Sequence, residues 1–203
     1  MALFPRLALA LLLAGAAAAQ QWIPLFDGKS LDGWKEAPFP GRGSVEVKDG
    51  VLLLHKGRMT GIALTRPFPD TNYEIRFEAA RLDGNDFFAG LIFPANGSFC
   101  SWTNGGWDGT TVGLSNVDGY DASENETSTN RDFVKGRWYT FQLSVTPTRI
   151  RAWIDGAVVI DLDTRGRLIN LRFDDTDLAK PLGFASYATL GGLRNIVYRR
   201  LAP

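Results

Sequence analysis

Polar and apolar positions alternate with a period of two along most of the chain. In YEIRFEA, Tyr73, Ile75, Phe77 and Ala79 share one face, while Glu74, Arg76 and Glu78 take the other. In TFQLSV, Phe141, Leu143 and Val145 alternate with Thr140, Gln142 and Ser144. Two pairs of such runs meet at Asp49-Gly50 and Asp155-Gly156, dipeptides that favour two-residue hairpin turns because both positions tolerate positive φ. Further strands are predicted at GIALTRPF (61–68), FFAGLIFP (87–94), FCSWT (99–103), TVGLSNV (111–117), PLGFASY (181–187) and LRNIVYRRL (193–201). After the first twenty residues no segment sustains an apolar period of 3.6. About a dozen short strands separated by frequent turns imply an all-β fold, a two-sheet antiparallel β-sandwich or jelly roll. No repeat, linker or low-complexity segment interrupts residues 20–203, so one domain is expected there.

Residues 1–19 break the pattern. Arg6 precedes an apolar run from Leu7 to Ala14, and Ala17 and Ala19 form an A-x-A cleavage signal. This reads as a secretory signal peptide, too short to span a membrane, and predicts a secreted or periplasmic protein. Cys100 is the only cysteine, so no intrachain disulfide can form and stability must come from the core. Its apolar strand marks it as a small buried hydrophobe. Without Arg6 the formal charge is near −1, and the absence of a basic run argues against nucleic acid as a partner. Six tryptophans, thirteen phenylalanines and 22 glycines suit a β-rich domain able to stack on sugar rings.

Candidate chemistry gathers in residues 105–128, GGWDGTTVGLSNVDGYDASENETS, read as a strand between two loops. Glu124 and Glu126 are two apart. On a strand they would share a face at roughly 6–7 Å, near the separation of a glycosidase acid–base pair. Asn125 between them departs from the E-x-D-x-E order of laminarinase-like enzymes. Trp107 and Tyr120 flank the acidic run as a sugar platform, with Trp102 either beside them or in the core. Asp118, Asp121 and Asn125 would bond sugar hydroxyls. The spacing of Asp118, Asp121 and Glu124 also admits a structural calcium ion. His55, the only histidine, ends the strand VLLLH and is a lesser candidate base, more simply a structural residue. Trp138 opens a strand and is expected to pack, whereas Trp153 shares a face with Arg149 and Arg151. Asn96 and Asn125 both fit the glycosylation sequon.

The opening WIPLFDGKSLDGWK resembles that of the 3-keto-disaccharide hydrolase domain family, whose F-D-G-K-S-L-D-G-W pattern matches Phe26 to Trp34. VEVKDGVLLL, NYEIRFEAAR, KGRWYTFQLSVTPTRIRAWIDGAVVIDLD and PLGFASYATLGGLRNIVYRRL resemble later family segments in order, so the likeness spans the mature chain. The resemblance implies a concanavalin-like or laminin-G-like sandwich acting on a glucoside or disaccharide oxidised at carbon 3. In that chemistry the ketone acidifies the C2 proton, a base removes it, and the enolate expels the C1 substituent. The chain departs from the family in mid-domain, where S-G-I-F-L-R and a following Y-E-x-Q-I strand are replaced by residues 89–128. The resulting expectation is a hydrolase or lyase for 3-keto-glycosides with Glu124 or Glu126 as base. A non-catalytic carbohydrate-binding module and a calcium-stabilised protein-interaction domain are the alternatives.

Overall fold

The alternation in the sequence becomes two stacked antiparallel sheets. The computed structural model describes residues 21–173 and 175–202; the leader expected at 1–19 lies outside them. Along the chain the strands are β1 (Ile23–Pro24), β2 (Trp34–Glu36), β3 (Val45–Lys48), β4 (Val51–Leu54), β5 (Thr60–Leu64), β6 (Tyr73–Asp83), β7 (Gly90–Ala95) and β8 (Ser98–Gly106). They continue with β9 (Thr111–Ser115), β10 (Thr129–Asn130), β11 (Trp138–Thr146), β12 (Arg149–Ile154), β13 (Ala157–Asp163), β14 (Gly183–Ser186) and β15 (Leu190–Arg200). The eight-stranded sheet runs β13-β12-β11-β6-β15-β4-β3 with β1 added to β15, and the seven-stranded sheet runs β10-β9-β8-β7-β14-β5-β2. A short 3₁₀ turn at Asp175–Ala179 is the only helical element among the described residues. No described helix is long and apolar enough to cross a membrane.

Both predicted hairpins form, β3–β4 and β12–β13. Asp49 and Gly50 have φ of 51° and 81°, and Asp155 and Gly156 have 52° and 80°, the paired positive values such turns demand. The register then sets the faces. Phe141 lies opposite Phe77 and Leu143 opposite Ile75 across β11 and β6, so their apolar faces point together into the sandwich. Phe77 stacks on Phe141 at 5.1 Å between ring centroids, and Phe184 meets Phe77 edge-on at 4.9 Å. Burying each such ring contributes about 1.5–3 kcal/mol. Cys100 is buried among these groups, as expected, and its thiol is pushed up to about 12 by the loss of solvent.

The opening motif builds a corner. Asp27 accepts hydrogen bonds from the backbone N–H groups of Lys29 and Ser30 at 2.8 and 2.9 Å, and from the Ser30 hydroxyl. Trp34 is buried, and its indole N–H donates to the Leu25 carbonyl at 2.7 Å. On the outer face of the eight-stranded sheet Trp153 lies under Arg151, on the face predicted. Trp138 is half-buried under Arg194, whose guanidinium carbon is 4.1 Å from the ring centroid. The last two strands sit inside the sheets: β14 between β7 and β5, and β15 between β6 and β4.

Candidate functional site

The outer face of the seven-stranded sheet is hollow because of its side chains. Leu91 and Phe93 on β7, Trp102 on β8 and Phe184 on β14 point inward and are buried. The intervening positions carry smaller groups: Gly90 and Ile92, Ser101 and Thr103, Ser115, and Ala185. These six floor a cavity of about 400 Å³, within the usual range for a small-molecule site.

Loops make its walls. Arg58 and Met59 come from the β4–β5 connection, Asp86 and Phe87 from β6–β7, and Trp107 from β8–β9. Arg172, Phe173 and Thr176 come from β13–β14, and Tyr187 follows β14. Phe87 and Tyr187 face each other at 5.9 Å with a 31° tilt. Trp107 is 39% exposed, and Phe173 is fully exposed at 106%. Aromatic faces around a floor of hydroxyls suit a ring with one apolar side and polar edges.

The loop carrying Trp107 is pinned from below. Arg81, on β6, is buried and donates to the Gly109 carbonyl, with its guanidinium carbon 5.4 and 5.7 Å from the rings of Phe88 and Phe133. Two glycines allow this approach. A Cβ on Gly105 would lie 2.5 Å from Arg81 Nη2, and one on Gly109 would lie 2.6 Å from the Asn85 carbonyl oxygen and 2.9 Å from Arg81 Nη1. Trp107 and Asp108 between them adopt φ of 45° and 67°, sparsely populated for side-chain-bearing residues.

Asp86 is the only carboxylate lining this cavity among the described residues. Its own backbone N–H donates to Thr189 Oγ1 at 3.0 Å, and its Oδ1 accepts the Phe87 N–H at 2.7 Å. Burial raises its carboxyl above the ordinary aspartate range, against the Phe87 N–H and the Arg81 charge, and Asp108 raises it further. A carboxylate in this state is a stronger base than an exposed one. Burial likewise lowers the pKa of Arg81.

The acidic run lies elsewhere. Asp118, Tyr120, Glu124, Asn125 and Glu126 line a second hollow of about 250 Å³ with Val117 and Arg167. No strand spans residues 121–128, so the sequence argument for a carboxylate pair on one strand face fails there. The reason is Asn125. Its buried carboxamide donates to the carbonyls of Leu114, Tyr120 and Asp121 at 2.7, 3.0 and 2.7 Å, and accepts from Thr127 N and Oγ1. That network folds the segment into consecutive turns and occupies the Asn125 amide, which is therefore neither a sugar contact nor an accessible sequon.

Glu126 is bound by Arg167 through both carboxylate oxygens, and Asp118 accepts from Arg167 Nε at 2.6 Å and from the Leu168 N–H at 2.8 Å. Arg167 holds the Glu126 carboxyl below its usual range; the Leu168 N–H, then Arg167, does the same for Asp118. Asp121 is tied to Ser123 and lies 3.5 Å from Arg172. Among the described residues no group of three or more His, Cys, Asp or Glu side chains is placed to hold a metal ion.

Two other candidates move. Trp102 is 0% exposed and packs edge-on against Phe141 at 5.6 Å, so it belongs to the core and touches no ligand. His55 projects from the other sheet, where Nε2 meets Glu46 Oε2 at 3.1 Å, and it lines neither hollow. Of the predicted site residues only Trp107 lines the large cavity. Sequence reasoning missed Asp86, Phe87, Arg58, Arg172 and Tyr187. The available signal was the small-residue outer face of FFAGLIFP, which opens on an aromatic, Phe87, directly after an acid, Asp86.

A family model for the 3-keto-alpha-glucoside-1,2-lyase-like domain matches residues 21–170. No curated protein is significantly similar to the chain in sequence. Among solved structures, a glycosyl-hydrolase candidate of Parabacteroides distasonis superposes with a TM-score of 0.59 at 14% identity, over 89% of this chain and 94% of its own. Crh5 transglycosylase in complex with NAG gives 0.59 at 16% identity, over 87% and 82%. The carbohydrate-binding module CBM66 of Bacillus subtilis gives 0.55 at 13%, over 82% and 95%. At these identities the likeness is one of fold.

Proposed function

The chain belongs to the family of 3-keto-alpha-glucoside-1,2-lyase-like domains, and from that premise we propose that it cleaves glycosidic bonds of sugars oxidised at carbon 3. The reaction takes place in the cavity on the outer face of the seven-stranded sheet, outside the cytoplasm, after the leader is removed. The observation that carries this reading is Asp86: a desolvated carboxylate, raised above its usual range, lining an aromatic-walled cavity.

The steps follow from the charge each group carries. The C3 ketone acidifies the C2 proton, which passes to the Asp86 carboxylate. The electron pair left on C2 delocalises onto the ketone oxygen, where the Arg172 guanidinium stabilises the enolate. Arg172 lies beside Trp107, 5.7 Å from its ring centroid. The enolate re-forms the ketone as the C1–O bond breaks, and the leaving oxygen takes up the proton that Asp86 removed from C2, which restores the carboxylate. Water then adds across C1=C2 to complete hydrolysis. The Ser101 and Thr103 hydroxyls, with Trp107, Phe87 and Tyr187, position the ring.

The test compares a 3-keto-glucoside with its unoxidised parent and follows released aglycone. Turnover of the keto compound alone, lost in Asp86→Asn, is the expected result. Turnover of the parent would replace this reading with an ordinary glycosidase, and binding without turnover with a carbohydrate-binding module.

A further inference from the structure

The elimination leaves one charge in the cavity without a task. Among the described residues the lining holds three charged side chains, Arg58, Asp86 and Arg172. Asp86 serves the proton transfer and Arg172 the enolate. Arg58 is a second guanidinium. No carboxylate among the described residues lies within ion-pairing distance of it, whereas Arg172 has Asp121 at 3.5 Å.

The backbone that carries Arg58 is held in place, with its side chain exposed at the cavity. Its N–H donates to the Gly41 carbonyl at 2.8 Å, and the preceding carbonyl, of Gly57, accepts the Ala188 N–H at 3.0 Å. Gly57 is pressed against the chain at Arg42 and Gly43, where a Cβ would come within 2.2 Å of Gly43 N. The contact to Ala188 ties this turn directly to Tyr187 on the opposite wall.

We infer that this cavity selects glycosides bearing an anionic substituent, a carboxylate or a phosphate, and that Arg58 reads that group. A planar fork of N–H donors matches either anion with paired charge-assisted hydrogen bonds. A neutral keto-sugar would leave Arg58 without an anionic partner. An anionic one neutralises it, and its second negative charge, the enolate, still finds Arg172. The inference rests on the cavity being the sugar site.

The test is calorimetric titration of the full chain with methyl glucoside, methyl glucuronide and glucose 6-phosphate, at low and high salt. At least one anion is expected to bind roughly tenfold more tightly than methyl glucoside at low salt. The advantage shrinks as salt rises and is lost in Arg58→Gln. The tighter of the two anions identifies the source of the charge. Arg58→Lys is expected to keep more of a phosphate preference than of a carboxylate preference, because a point charge cannot fork. Equal affinity for all three ligands, or an anion preference that survives Arg58→Gln, would overturn the inference. The function proposed above would still stand if keto-glucoside turnover depended on Asp86. If turnover survives Asp86→Asn and no ligand binds, both readings fall.

Discussion

Asp86 and Glu126 are both carboxylates at the edge of a hollow, and their surroundings give them opposite characters. Asp86 has lost part of its solvent, and this outweighs the one backbone donor it gains, so its proton is held more firmly than usual. Glu126 stays exposed and is clasped by Arg167, so its proton is held less firmly. The first is fitted to take a proton from carbon. The second is a strut that fastens the 118–126 turns to the Arg167 segment. Proximity of acids in the sequence is therefore a poor guide to reactivity, and desolvation is a better one.

The largest expected difference between the two regions is catalytic. Asp86→Asn should lower kcat/KM on a keto-glucoside by about 10²–10⁴, whereas Glu124→Gln and Glu126→Gln should leave it little changed. Comparable losses from all three would erase the contrast. The same substitution carries a stability signature. The folded-state pKa of Asp86 is raised, so its stabilising contribution is complete below the unfolded value and lost as pH rises through the folded one. Asp86→Asn should accordingly raise the thermal midpoint at neutral pH and not in acid. The acid limb of the kcat/KM profile should also lie above the ordinary aspartate value.

Next in size is the division between two tryptophans five residues apart. Trp102→Ala should cost about 3–5 kcal/mol of stability in a denaturant titration. Trp107→Ala should leave stability nearly unchanged and weaken sugar binding by about 1 kcal/mol. The reverse pattern would mean that Trp107, not Trp102, packs in the core.

Smallest is the strut itself. The carboxyls of Asp118 and Glu126 are depressed in the fold, so their contribution is present above the unfolded carboxylate pKa and lost as pH falls through the folded values. Arg167→Gln should lower the thermal midpoint slightly at neutral pH, with the difference closing in acid and in high salt. A large, salt-insensitive loss would show that Arg167 does more than fasten a turn.

The fold was largely legible in the sequence because its determinants are local. Period-two alternation assigns faces, and Asp-Gly at 49–50 and 155–156 supplies the only backbone that two-residue turns accept. The site was not, because it is assembled from five separate connections whose convergence depends on sheet order. Trp107 was found because an aromatic between turn glycines is conspicuous. Asp118, Asp121 and Asn125 were equally conspicuous, but residues of these types shape turns as readily as they bind ligands. Here the backbone takes them first. Asp86 was overlooked because nothing within a few residues of it distinguishes a buried acid from a solvated one.

The position of the last strands bears on how the chain comes to be folded. A polypeptide emerging from its amino end can form the β3–β4, β7–β8 and β11–β12 hairpins as it goes, yet neither sheet is continuous until β14 and β15 arrive to fill the gaps between β7 and β5 and between β6 and β4. Those closures join segments more than ninety residues apart, the kind of long loop that makes folding slow. A nascent chain stopped short of Gly183 therefore holds β6 with β11–β13 and β7 with β8–β10, but lacks the strands that join them to β4 and β5.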